Sequence, residues 1–450
     1  MAHWRQALHL EPPQGWLNDP NGLCFFGGQY HVFFQYAPLG AEGSGPKGWG
    51  HWQSADLLHW TFAGMPLRPD TPWDQSGAYS GCAVPCGDTL RLYYTGNVKH
   101  PGPYDYIHEG RESNTLLVET PDGLRTGPKE RLMESKDYPA DCSLHVRDPK
   151  VWREDGLWKM LLGARSLADA GRALLYHSTD GRAWTLARVL ELSPAFGYMW
   201  ECPDTFTVGG RRWLGVCPQG LPHGETENQN QYQSGWFALA GDLETGTLSG
   251  FTEWDKGFDF YAPQTLEAPD GRVLLIGWMG MPDADYRNPT AALGWQHCLT
   301  LPRELEADGG GLRQRPLREL DTLAEGAPFA LNGETRTVPL PFRLRMAAEG
   351  DFTLMLAGGL TFTRRDDAGL LELRFADDAL GGGRTLRRAR WAGGPLTVDL
   401  VADRSALEFY CDDGRLVFAT RWYPGDPAVP VALQGAEATL QTLGSMTFTL

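Results

Sequence analysis

One pattern recurs five times along this chain and constrains it more than any other feature: a turn rich in Gly and Asp, then an apolar strand ending in small or polar residues. The copies are GGQYHVFFQY from Gly27, CGDTLRLYYTG from Cys86, EDGLWKMLLGA from Glu154, GGRRWLGVC from Gly209 and PDGRVLLIGW from Pro269. Their turn glycines Gly28, Gly87, Gly156, Gly210 and Gly271 are 59, 69, 54 and 61 residues apart. A weaker signal follows in four units, where Asp56, Asp122, Asp180 and Asp242 each close a further hairpin. Ser54, Asp56 and Trp60 share their spacing with Ser178, Asp180 and Trp184. With 55 Gly, 32 Pro and no convincing amphipathic helix, the chain is expected to be all-β. Repeats of this size predict a five-bladed β-propeller within residues 1–305.

After Leu301-Pro302-Arg303 the polar, Gly-rich ADGGGLRQRPLREL reads as a linker, residues 306–330. From Leu331 to Leu450 apolar residues alternate with period two, as in LLELRF and PLTVDLVADRSALEFY, which predicts a C-terminal β-sandwich.

Charge excludes several roles. With 56 Asp and Glu against 40 Lys and Arg, the net charge of −16 argues against a nucleic-acid partner and an anionic membrane surface. No apolar run approaches the roughly 20 residues that span a bilayer, and the opening segment lacks a signal-peptide core. The expected setting is cytoplasmic, with the eight scattered cysteines reduced. Gly43-Ser44-Gly45-Pro46-Lys47-Gly48 matches G-x-G-x-x-G, but Pro46 and the missing helix make it a surface loop. Oligomeric state is not legible here.

Chemistry enters through the segments that precede each turn: WLNDPNG from Trp16, YSGC from Tyr79, VRDPK from Val146, WECPD from Trp200 and FYAPQ from Phe260. Asp19, Asp148 and Glu201 each lie 8 residues before a turn glycine, Gly27, Gly156 and Gly209, and so are expected at equivalent places in three units. The innermost strands of a propeller surround its axis, so the three acids should meet at one mouth. Such a cluster suits glycoside hydrolysis by paired carboxyls or a Ca²⁺ site, and the neighbouring Arg147 favours the former. The aromatic excess supports a sugar ligand, because C–H faces of sugar rings pack on aromatic rings. Trp16, Trp49, Tyr79, Trp200, Tyr261 and Trp278 are expected at or near the mouth, and Trp60 and Trp184 between blades.

These motifs, with IGWM and LGWQHCLTLPREL further on, closely resemble glycoside hydrolase family thirty-two, the invertases, sucrose-6-phosphate hydrolases and related fructan hydrolases. The resemblance extends to DRSALEF in the C-terminal region and implies a five-bladed propeller followed by a sandwich. It implies a retaining enzyme that removes β-fructofuranosyl units from sucrose or a related fructoside. By that likeness Asp19 is the nucleophile, Glu201 the acid and base, and Asp148 with Arg147 the binder of fructosyl hydroxyls. Asn18, Gln35, Trp49, Tyr79, Ser80 and Trp278 match positions that line the fructosyl pocket. No metal or organic cofactor is implied; the partner is a small sugar. The chain departs from the pattern at Val146 and at Tyr79-Ser80-Gly81-Cys82, where substrate preference can differ. Sucrose 6-phosphate would call for a cation near the leaving group, for which Lys47, Lys99 and Arg165 are candidates. A fructan exohydrolase, a fructosyltransferase, an inverting relative and a non-catalytic fructan-binding propeller are the alternatives.

Overall fold

The structure, a computed structural model, describes residues 2–450. Five sheets of antiparallel strands, each built from a meander of four, follow one another in sequence. Their innermost strands are Gly15–Phe26, Ala78–Cys86, Cys142–Glu154, Met199–Val208 and Tyr261–Glu267. The turn glycines Gly28, Gly87, Gly156, Gly210 and Gly271 all adopt positive φ, and a Cβ at any of them would meet no atom within 4 Å. Backbone conformation, not crowding, therefore demands glycine at these turns. Asp56, Asp122, Asp180 and Asp242 accept backbone N–H groups at the later turns, as Asp56 does from Leu58 and His59 at 3.0 and 2.9 Å.

Period two explains how the blades stack. In strand Leu157–Ser166, Met160, Leu162 and Ala164 pack with the second blade's Tyr93 and Leu117, whereas Leu161 faces the fourth blade's Leu214 and Phe237. Both faces of a blade are thus dry, and the apolar run is nearly continuous. Trp49, Trp60, Trp200 and Trp213 are fully buried wedges in these seams. Each contributes roughly 4–6 kcal/mol of transfer free energy before conformational entropy is counted. Trp184 packs between the second and third blades against Tyr93, ring centroids 6.3 Å apart.

The region beyond residue 323 forms two packed six-stranded sheets around a core that includes Phe362, Phe409 and Trp422. The stretch 306–330, expected as a linker, is mostly ordered sheet. Gly311–Pro316 pairs with Arg303–Asp308 as the outer strand of the fifth blade, and Ala324–Leu331 is already an edge strand of the sandwich. Gly309 and Gly310 form the tight turn of a hairpin, both at positive φ, and Leu312, Gln314 and Pro316 are buried on one face of the strand that follows. The short 3₁₀ turn Arg318–Leu323 leads from the fifth blade into the sandwich.

The halves exchange their ends. Asp403 of the sandwich accepts the backbone N–H groups of Ala7, Leu8 and His9, while Thr447–Thr449 adds in parallel to the first blade's outer strand His59–Phe62. Arg303 lies buried between the halves, bonded to Glu408, Asp255 and Gln314. All eight cysteines are free. Among the described residues no helix is long and apolar enough to cross a membrane.

Candidate active site

Every innermost strand carries a β-bulge at the same end of the propeller. Two residues on the inner strand face one on its neighbour between Leu17 and Pro20, Ala78 and Gly81, Arg147 and Lys150, Glu201 and Asp204, and Tyr261 and Gln264. Such bulges break the ladder and re-aim side chains. Proline is tolerated in three of them, as Pro149, Pro203 and Pro263, where the ladder asks for no donor. The residues before those prolines, Asp148, Cys202 and Ala262, all sit at positive φ.

The bulges correct the expected equivalence of the three acids. Glu201 is the last paired residue before its bulge, Asp148 is the first bulged residue and Asp19 the second. Equal counts from the glycines concealed this offset for two reasons. Gly156 is the second residue of its turn whereas Gly209 is the first, and the first blade has a further bulge between Asn21 and Cys24. Three successive strand positions on three blades nevertheless deliver their carboxyls to one mouth.

That mouth is a cavity of about 410 Å³. Asp19, Asp148 and Glu201 line it together with Asn18, Gln35, Tyr79, Arg147 and Trp278 of the expected set. Trp49 and Ser80 do not reach it. The Trp49 indole is wholly buried and donates to the Tyr79 carbonyl at 3.0 Å, and Ser80 lies beneath Asp19. Trp16 and Tyr261 are at the mouth as expected from the aromatic pattern, whereas Trp200 is buried between the third and fourth blades against Phe237. Lys47, Arg111, His145 and Asp283 also line the cavity. No motif points to Arg111; it opens the third strand of its blade, and folding alone brings it here.

Each acid has its own set of partners. Asp19 accepts from Asn18 at 3.0 Å on one oxygen, and from Ser80 at 2.5 Å and Gln35 at 3.2 Å on the other. Glu201 is gripped on both oxygens: Arg147 donates twice to one at 2.7 and 3.2 Å, and Tyr261 and Gln219 donate to the other at 2.6 and 2.8 Å. Asp148 accepts the Cys202 backbone N–H at 2.9 Å and stands 3.9 Å from the Arg147 guanidinium. Burial raises the pKa of Asp19, and the Glu201 charge adds to the rise. Burial likewise pushes Asp148 up to about 7, against the pull of Arg147. His145 goes the other way, to about 2, because it is buried beside Arg147 and Arg111.

Paired carboxyls with separate hydrogen-bond surroundings in an aromatic-rimmed propeller mouth define a glycoside hydrolase. Residues 9–316 match the family model described as the Glycosyl hydrolases family 32 N-terminal domain, which ends where the fifth blade ends. The chain belongs to glycoside hydrolase family 32. It is 42% identical to a sucrose-6-phosphate hydrolase of Klebsiella pneumoniae over 458 residues, 96% of this chain and 92% of that one. It is 38% identical to a raffinose invertase of Escherichia coli, with the same coverage. Among solved structures it resembles a sucrose-6-phosphate hydrolase from Lactobacillus gasseri, with a TM-score of 0.89 and 28% identity over 99% of this chain and 94% of that one. A Bombyx mori β-fructofuranosidase mutant in complex with sucrose gives 0.86 and 29%, over 99% and 95%.

Proposed function

We propose that the chain is a retaining β-fructofuranosidase that hydrolyses sucrose or a close derivative by double displacement. One observation carries the reading: two partly buried carboxyls of one mouth, Asp19 and Glu201, are held by different partners and so can take different roles.

Asp19 attacks the anomeric C2 of the fructosyl unit, and Glu201 protonates the departing glycosidic oxygen, so the C2–O bond breaks as the Asp19 ester forms. Glu201 then takes a proton from water, which adds to C2 and frees Asp19. Ser80, Gln35 and Asn18 fix the Asp19 carboxylate, and Arg147, Gln219 and Tyr261 orient Glu201. Asp148 binds fructosyl hydroxyls, whose donors compensate the charge that burial opposes. Trp16, Tyr79 and Trp278 pack on the sugar faces. The free thiols suit a reducing, cytoplasmic setting.

Following sucrose cleavage by NMR tests the reading: β-fructofuranose appears first, before mutarotation, and first release of the α-anomer refutes retention. Comparing kcat/KM for sucrose, sucrose 6-phosphate, raffinose and inulin ranks the fructosides, and product analysis with a second sugar present separates hydrolysis from transfer.

A further inference from the structure

We propose that the sandwich is a working part of the active site: Gln229, Asn230 and Arg387 are positioning residues that steady, through two loops of the mouth, the donors set around the acid and base Glu201. This rests on the fructosidase reading above. Each blade joins its second strand to its third at the mouth end, and the two longest of these five connections are 220–234 in the fourth blade and 279–302 in the fifth. The first contains no helix or strand, and a loop of more than about 12 such residues is uncommon in a compact domain unless it serves a site. It begins directly after Gln219, which donates to Glu201 at 2.8 Å. Near its end Tyr232 packs beside Tyr261, ring centroids 6.2 Å apart, and Tyr261 donates to the same Glu201 oxygen at 2.6 Å. The second connection brings Met281, Pro282 and Asp283 to the cavity wall. The Tyr232 hydroxyl donates to Asp283 at 3.0 Å and so fastens one loop to the other.

Both loops rest on one stretch of the sandwich, residues 382–388. Gln229 completes the edge strand Leu386–Arg390: its amide donates to the Arg388 carbonyl at 2.6 Å and accepts the Arg388 N–H at 2.9 Å, as a neighbouring strand would. Asn230 is buried, accepts twice from Arg387 at 2.7 and 3.0 Å, and donates to the Gly257 carbonyl at 2.9 Å. In the second loop the Arg287 N–H donates to the Gly382 carbonyl at 2.7 Å, and Arg384 donates to the Arg287 carbonyl at 3.0 Å. A Cβ at Gly382 would stand 2.4 Å from that carbonyl, so the close approach requires glycine. Bonds that only join the halves come straight from a blade strand or the N-terminal segment, as at Arg303 and His9, and need no long loop. The grip on Gln229 and Asn230 falls instead on the loop that carries Gln219 at its root and Tyr232 near its end. Freed of that grip the loop would open locally, and a displacement of about 1 Å in a catalytic group can cost 10²-fold in rate.

The test measures kcat/KM for sucrose and for p-nitrophenyl β-fructofuranoside in the wild type, Asn230→Ala, Arg387→Met, Arg387→Lys and Tyr232→Phe. The glucose oxygen of sucrose needs the Glu201 proton to leave, whereas p-nitrophenolate departs with little protonic help, so a displaced acid slows the first substrate and spares the second. Asn230→Ala, Arg387→Met and Tyr232→Phe are each expected to lower kcat/KM for sucrose about 10-fold, chiefly through kcat, and to change the aryl fructoside less than about 2-fold. Arg387→Lys should recover part of the loss seen in Arg387→Met. Tyr232→Phe removes a single oxygen at a half-buried position and so reads the loops with the fold intact. Equal losses on both substrates in Tyr232→Phe, or sucrose turnover unchanged in all three variants, overturns the role of the sandwich and leaves the fructosidase reading standing. A wild type that cleaves neither fructoside removes that reading, and this one with it.

Discussion

Asp148 at the mouth and Glu408 between the two halves are both buried carboxyls with an arginine nearby, yet burial lifts Asp148 to about 7 while Glu408 is held at about 2. Burial opposes charge at both. Glu408 overcomes it with Arg303 at 2.7 Å, His9 at 3.1 Å, the Leu301 N–H at 2.8 Å and the Tyr410 hydroxyl at 2.9 Å. Asp148 has one backbone N–H, the Cys202 thiol at 3.7 Å as a weak donor, and a guanidinium at 3.9 Å that is committed to Glu201. The interface completes its own hydrogen bonding, and the mouth leaves donors to be supplied by the sugar.

The largest expected effect lies at the mouth. Asp19→Ala and Glu201→Ala should each lower kcat about 10³-fold or more while the melting temperature holds, and near-normal turnover would remove the residue from its role. At the interface the signature should be inverted. Glu408→Gln leaves Arg303 and His9 short of an anion, and denaturant unfolding should show a loss of about 3–5 kcal/mol, with turnover per folded molecule retained. A stable Glu408→Gln protein would erase the contrast.

Two pH experiments sharpen it, with opposite signs. His9 between Asp403 and Glu408 is raised to about 9 despite its burial, so its stabilisation is present below about 6.5 and fades as pH rises toward 9. His9→Gln should therefore be less stable than wild type by about 3 kcal/mol at pH 6, with the gap closing by pH 10. Asp148 binds its proton more tightly folded than unfolded, so wild type should lose stability as pH rises from about 4 to 7. Asp148→Asn should abolish about 1–2 kcal/mol of that slope, a modest amount because water in the open mouth screens the charge. Parallel stability curves for wild type and either variant would contradict the assignment.

The blades were readable because turn glycines at positive φ and period-two apolar strands are local demands, met by residues next to one another in sequence. The acids were readable as a convergent set but not in register, because a bulge adds a residue without leaving a mark on periodicity. Gly309-Gly310 shows the same limit: a glycine-rich run serves a hairpin turn as well as a linker, and the buried Leu312 and Gln314 after it decide between them. Trp49 and Trp200 carry nothing in their neighbourhoods to separate a seam wedge from a mouth aromatic. Gln219 reaches Glu201 from the neighbouring strand of the same blade, His145 bonds the Tyr106 carbonyl of a loop, and Arg111 comes to the mouth from the third strand of its blade, so their places at the site exist only after folding.

The strand Thr447–Thr449 sets an order of biosynthesis. The outer edge of the first blade is made early, yet its partner strand is made only after the sandwich strands. Until then, the nascent propeller carries an open β-edge at His59–Phe62, a template for pairing with other chains. The same strand makes the sandwich the closing clasp of the ring. A chain cut after Pro316 would keep every acid of the mouth but expose that edge, and it would also strand His9 without Asp403 and Glu408.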